Sequence, residues 1–188
     1  MDSNSCSEAI RSFGFEPAEP PQPVAGGWDT EMWRFRTSDG GEHVLRVYPS
    51  PEREAGLRVE QAALAAAADA GLPVARVEAS GVLSGLPMLI LSWLDGEPLL
   101  AHLQRRPWRV RNLGRELGRV HARLHAIPPP DLMRQGAPDN WLVWTRVNGV
   151  IEQMELLRTS VGTGSLIHLD IHPLNVLTDG RRITVILD

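Results

Sequence analysis

Residues 168–177 read His-Leu-Asp-Ile-His-Pro-Leu-Asn-Val-Leu, and a later run of β-forming residues ends on Asp188. The first stretch has the spacing H-x-D-x-x-x-x-N. Phosphoryl transfer needs a carboxylate that orients an acceptor hydroxyl and takes its proton. It also needs oxygen ligands that let Mg²⁺ bridge the nucleotide phosphates. Asp170 suits the first task. Asn175 and Asp188 suit the second, as hard oxygen donors on neighbouring strands joined by a short hairpin. Singly, each residue has a plainer use: Asp170 as a turn former, Asn175 in a side-chain-to-backbone turn bond, His168 as a satisfied buried histidine. The combination, in this order and ahead of an Asp-terminated strand, favours the phosphoryl-transfer reading. A second chemistry competes with it. His168, Asp170 and His172 alternate as H-x-D-x-H, and on a strand they would share one face, as in a metal-dependent hydrolase. The other histidines, at 43, 102, 121 and 125, show no companion ligand spacing. His121 and His125 form an i, i+4 pair better suited to a helix face or core than to zinc.

Positioning these groups requires a scaffold, and the chain changes character halfway. Residues 1–23 hold Pro17, Pro20, Pro21 and Pro23 after a short helix near Ser7–Phe15, and read as a lead-in. Trp28–Arg36 and His43–Tyr48 read as strands around the turn Ser38-Asp39-Gly40-Gly41. An alanine-rich helix follows over Glu52–Ala70, stopped by Gly71 and Pro73. Val74–Ala79 and Met88–Trp93 read as two more strands around a Ser80–Pro87 turn. Pro98–Gln104 starts a short helix, and Arg109–Ala126 is an amphipathic one with Val110, Leu113, Leu117, Val120 and Leu124 at three- and four-residue steps. Val150–Arg158 reads as helix and Ile183–Leu187 as a last strand. The fold class is therefore α+β and bilobal. Residues 24–94 form a small antiparallel-sheet lobe, and residues 95–188 an incomplete, mainly helical one.

Composition narrows the function classes. With 43% hydrophobic and 22% charged residues over 188, the chain can bury a real core. Asp and Glu (23) outnumber Lys and Arg (19), which argues against a nucleic-acid partner. No 18-residue apolar run predicts a membrane span, and MDSNSCSEAI lacks the basic start and apolar stretch of a secretory signal. A single Cys6 permits no internal disulfide, so a cytoplasmic location is expected. Every cation of the 19 is Arg. Chemistry needing a fixed cation must therefore use a forked guanidinium.

The segment HLDIHPLNVL resembles the HGDLHPGNVL catalytic segment of the aminoglycoside phosphotransferase and choline kinase family, which shares the protein-kinase-like fold. ITVILD is similar to the strand carrying that family's metal-binding Asp. In the same order, AGGWDTEMWRF resembles its glycine-containing phosphate loop and HVLRV the strand bearing its phosphate-binding cation. RVEQAALAAAADAGLPVARV resembles the helix whose Glu pairs with that cation, MLILSWLDGEPL the hinge, and LGRELGRVHARLHAI the helix closing the catalytic lobe. The likeness covers about residues 24–188. It implies ATP (or GTP) as phosphoryl donor, Mg²⁺ as cofactor and a small-molecule hydroxyl as acceptor. Asp170 would be the base, and Asn175 with Asp188 would hold the metal. Arg46 would contact the α- and β-phosphates and Glu60 would hold Arg46 by an ion pair, from a helical face shared with Leu57 and Leu64, with Glu54 as the competing carboxylate. Gly26 and Gly27 would let backbone N–H groups approach phosphate oxygens, and the backbone of Ser92, Trp93 and Leu94 would bind adenine. Trp28, Trp33 and Trp93 read as core or pocket wall, and Trp141 and Trp144 as residues near an acceptor site.

The chain departs from the family pattern at several points. Arg46 stands where Lys is usual, Leu169 and Leu174 where Gly is usual, and Thr30 where many members have Asn. Family members continue past the metal-binding Asp into further helices. The resemblance thus implies a fragment of a longer protein or a degenerate gene product, and the alternative function is a nucleotide-binding remnant without catalysis.

Overall fold

The computed structural model describes residues 1–24, 30–132, 164–168 and 170–187. Among them, helix α1 (Ser3–Ser12) precedes strands β1 (Gln22–Val24), β2 (Glu31–Arg36) and β3 (Glu42–Val47), then helix α2 (Glu54–Asp69), β4 (Val77–Leu83) and β5 (Leu86–Ser92). The second half carries β6 (Glu97–Pro98), α3 (Leu99–Arg105), α4 (Val110–His125), β7 (Val176–Thr178) and β8 (Ile183–Ile186). The first five strands form one antiparallel sheet in the order β1-β2-β3-β5-β4, and β6-β7-β8 form a second.

The period-two alternation of β3 and β5 explains how the first sheet carries a helix on each face. Leu45 and Val47 of β3, with Met88 and Ile90 of β5, turn to one side and pack with Cys6, Ala9, Ile10 and Phe35. Val44 and Tyr48, with Leu89 and Leu91, turn to the other and pack with Leu57 of α2. Arg46 lies between Val44 and Tyr48 in the same alternation, so the strand delivers it to the α2 side. A third cluster joins the halves: Ala67 and Leu72 at the end of α2 meet Leu113, Val120 and Leu124 of α4 and Val176, Ile183 and Ile186 of the second sheet. The loop after α2 also bonds directly to β8, Ile186 N–H donating to Pro73 C=O at 2.8 Å.

The proline-rich start is more structured than a lead-in. Helix α1 begins at Ser3, ahead of the expected Ser7, because Asp2 caps it by accepting the Ser5 N–H at 2.8 Å. Ile10 is fully buried under the sheet. Ile10→Ala is expected to destabilise the fold by about 3 kcal/mol, read as a lowered denaturant midpoint at unchanged slope; a midpoint that does not move would detach α1 from the core.

Other boundaries differ as well. The turn expected over Ser80–Pro87 is instead a two-residue hairpin at Ser84 and Gly85, both at positive φ (51° and 78°), so β4 runs on to Leu83. That pair of left-handed residues matches the right-handed twist of the flanking strands. Strand β2 is described from Glu31, and β1 and β6 are additional short strands. Val110 is 58% exposed because it opens α4 straight out of a 3-10 turn, while Leu113, Val120 and Leu124 are buried as the spacing requires. The helix read over Val150–Arg158, together with Trp28, Trp141 and Trp144, lies outside the described residues.

Candidate functional site

A cleft of about 480 Å³ opens between the two sheets, within the range of ligand pockets. Its apolar walls come from both: Met32, Val44 and Leu91 on one side, Leu177 and Ile186 on the other. Arg46, Glu60 and Asn175 supply polar groups along the lining, and Trp93 and Leu94 lie along the connection between the sheets.

At the polar end, Arg46 Nη1 donates to Glu60 Oε1 at 2.7 Å, the two side chains being only 11% and 24% exposed. Strand β3 and the first half of α2 meet here because Leu57, one helical turn before Glu60, is anchored in the sheet cluster. The second carboxylate oxygen, Oε2, accepts the hydroxyl of Tyr48. Tyr48 is a residue the sequence reading passed over. Its signal is strand alternation, which puts it on the same face as Arg46, two residues earlier. Burial, and next the charge of Glu60, push the Tyr48 phenol above its ordinary range, so it remains a donor.

The connection between sheets is more selective than expected. Ser92 N–H donates to Arg76 C=O and Trp93 N–H to Glu42 C=O, both at 2.9 Å, so sheet pairing occupies these two amides. Of the three residues expected to bind adenine through backbone, Leu94 keeps an N–H with no partner among the described residues. The Trp93 ring is itself clamped. The Arg34 guanidinium lies 4.2 Å from the ring centroid, and the indole Nε1 donates to Asp95 Oδ1 at 2.9 Å. Trp93 therefore serves as pocket wall.

The catalytic-type segment is a tightly bonded turn. His168 Nε2 lies 2.8 Å from Leu187 C=O, and His168 Nδ1 accepts the Asp170 N–H at 3.2 Å. A neutral ring protonated at Nε2 satisfies both. Asn175 Nδ2 donates to Asp170 Oδ2 at 3.0 Å and to Asp170 C=O at 3.2 Å, which fixes the amide and turns its Oδ1 away from Asp170. His172 Nδ1 accepts the Leu174 N–H at 3.2 Å, and its Nε2 lies 3.4 Å from Asp170 Oδ2. The Asp170 carboxyl is 70% exposed, one hydrogen bond from the cleft-lining Asn175.

The β7–β8 hairpin then brings distant positions together. Val176 pairs with Ile186, and Leu187 N–H donates to Asn175 C=O at 2.9 Å, so Leu187 lies beside Asn175. Asp188, like Gly26 and Gly27, lies outside the described residues. The H-x-D-x-H pattern does not make a metal cluster of His168, Asp170 and His172: both ring nitrogens of His168 are engaged by backbone, leaving no lone pair for a metal. No group of three or more His, Cys, Asp or Glu placed to hold a metal occurs among the described residues. No described helix is long and apolar enough to cross a membrane.

Comparison with known proteins bears on the family and the fold. The family described as "Phosphotransferase enzyme family" matches residues 21–188. No curated protein gives a significant match. Among solved structures, the macrolide 2'-phosphotransferase MphH of Brachybacterium faecium superposes with a TM-score of 0.66 at 18% identity, over 98% of this chain and 71% of that one. The aminoglycoside phosphotransferase APH(3'')-Id of Streptomyces rimosus, in complex with ADP and streptomycin, gives 0.67 at 18% identity, over 100% and 76%. The PknI kinase domain of Mycobacterium tuberculosis gives 0.50 at 18%, over 93% and 57%. These likenesses establish an α+β, protein-kinase-like fold.

Proposed function

We propose, from the premise that the chain belongs to the phosphotransferase enzyme family, that it moves the γ-phosphoryl group of ATP (or GTP) to a hydroxyl of a small molecule. The acceptor class is aminoglycoside-like, other antibiotic-like or choline-like, and the compartment the cytoplasm. The observation that carries the reading is the Asp170–Asn175 hydrogen bond beside a two-walled cleft whose lining includes the Arg46–Glu60 pair. The apolar walls suit a flat base, and Leu94 N–H suits its hydrogen-bonding edge. Arg46 suits the phosphates, its orientation fixed by Glu60. Asp170, held through Oδ2, presents its carboxylate to an incoming hydroxyl and receives the proton as the new O–P bond forms and the bond from the γ-phosphorus to the bridging oxygen breaks, releasing the nucleoside diphosphate.

The donor set fits a hard divalent cation, because Asn175 holds Asp170 through Nδ2 and so keeps its amide oxygen for another ligand. Mg²⁺ would be held by Asn175 and Asp188, and would supply positive charge against the phosphate oxygens. Gly26 and Gly27 would contribute backbone donors to the same phosphates.

The test is Mg²⁺-dependent consumption of ATP or GTP, measured with and without a panel of hydroxylated acceptors. Turnover that rises with one acceptor class supports the reading. Nucleotide binding with no turnover on any acceptor selects the non-catalytic remnant. Stoichiometric zinc in protein purified without added metal, with no nucleotide binding, would restore the hydrolase.

A further inference from the structure

The connection between the two sheets, residues 93–96, is anchored at both ends. Toward the first sheet, Trp93 N–H donates to Glu42 C=O. The indole Nε1 then reaches past Leu94 to Asp95 Oδ1 at 2.9 Å, so the flanking side chains close a short ring around Leu94, whose N–H has no partner among the described residues. Toward the second sheet the backbone presses close: a Cβ added at Gly96 would stand 2.7 Å from Leu177 Cβ and 2.9 Å from Thr184 Oγ1. What holds the indole ring is Arg34. Strand register sets Arg34, Val44 and Leu91 abreast on β2, β3 and β5, and cross-strand neighbours share a face. Arg34 therefore stands in line with two residues of the cleft wall. From there its guanidinium lies 4.2 Å from the Trp93 ring centroid, while its Nη2 donates to Glu42 Oε2. The ring in turn packs on the cluster that contains Val44 and Leu91.

We propose that Arg34 is a positioning residue for the nucleoside: by stacking on Trp93 it fixes the connection so that Leu94 N–H is presented to the base in the cleft. This rests on the phosphotransferase reading above and deepens it. Arg34 acts at the base end, through Trp93, whereas Arg46 acts at the phosphates. The plainer role for Arg34 is a surface ion pair. Its side chain is 40% exposed, and Glu42 keeps a second partner in Arg36. Exposed pairs contribute little, so an Arg34 that was merely paired could be removed without effect on binding. A cation held over an indole differs because its attraction needs the ring. Removing the ring therefore separates the two roles.

The experiment is calorimetric binding of adenosine and, separately, of ADP to four chains: unsubstituted, Arg34→Met, Trp93→Leu and the double substitution. Methionine keeps an unbranched apolar stem and deletes the charge. Arg34→Met is expected to weaken adenosine and ADP by the same factor, about fivefold. In the Trp93→Leu background the same change should alter adenosine affinity less than about twofold, because the stack is gone. Equal weakening in both backgrounds overturns the proposal, and so does an adenosine affinity indifferent to Arg34→Met, even with a lowered melting temperature. Loss of ADP alone would place Arg34 at the phosphates and overturn it as well. Should Trp93→Leu fail to fold, Glu42→Gln decides. The glutamine oxygen still accepts from Arg34 and the stack survives, so adenosine should stay within about twofold; a loss matching that of Arg34→Met assigns the effect to the ion pair and refutes the proposal. An unsubstituted chain that binds neither adenosine nor ADP overturns the phosphotransferase reading and this proposal with it, an outcome distinct from indifference to Arg34→Met, which overturns the proposal alone.

Discussion

Asp170→Asn is expected to lower phosphoryl transfer about a thousandfold while ADP affinity stays within about twofold of the unsubstituted chain. The substitution is nearly isosteric. An asparagine side chain can still accept the Asn175 Nδ2 hydrogen that Asp170 Oδ2 accepts at 3.0 Å, so the turn from His168 to Asn175 should persist. What is lost is the negative charge and basicity needed to align an acceptor hydroxyl and take its proton. The cleft walls, the Arg46–Glu60 pair and Leu94 N–H are untouched, which is why binding and turnover should separate. Turnover is measured on the acceptor that the panel identifies, and binding by calorimetry. Retained turnover would remove Asp170 from the role of base. A joint loss of turnover and ADP affinity would instead show that the substitution had broken the turn.

Much of this arrangement was legible in the sequence where it depends on local spacing. The catalytic-type turn is an example: apart from the His168–Leu187 contact, its hydrogen bonds link residues two to five apart, so the order His168, Asp170, Asn175 nearly determines which groups meet. The Arg46–Glu60 meeting was legible for a different reason: the resemblance of HVLRV and the following helix to the family's pair implied it, and the helical face that Glu60 shares with Leu57 supported it. What stayed hidden depended on strand register. Whether Ser92, Trp93 or Leu94 has an amide to offer is decided by pairing of the Ser92 region with Arg76 and Glu42, and no feature of the tripeptide itself records that. The role of Tyr48 was hidden too, because it depends on how α2 is rotated against β3. The capped start of α1 was obscured by Ser and Asn, residues of poor helical propensity whose contribution lies at the helix end.

The second large effect is expected at the other end of the cleft, where Arg46→Ala should weaken ADP about a hundredfold and leave adenosine affinity within about twofold. Two losses add in the same direction. The phosphates lose charge-assisted donors, and Glu60, only 24% exposed, is left as an uncompensated carboxylate facing an anionic ligand. Tyr48 can hold one of its oxygens but cannot neutralise it. The second loss is separable. Adding Glu60→Gln to Arg46→Ala removes the repulsion and should recover ADP affinity about tenfold, whereas Glu60→Gln alone should weaken it by freeing Arg46 to turn. That opposite sign in the two backgrounds is the signature of a pair acting on phosphate through charge. If Arg46→Ala instead lowered adenosine and ADP together, Arg46 would be bracing the wall between β3 and α2, and the phosphate role would have to pass to another group. If Glu60→Gln weakened ADP equally with and without Arg46, the carboxylate would matter for the helix and not for the cation.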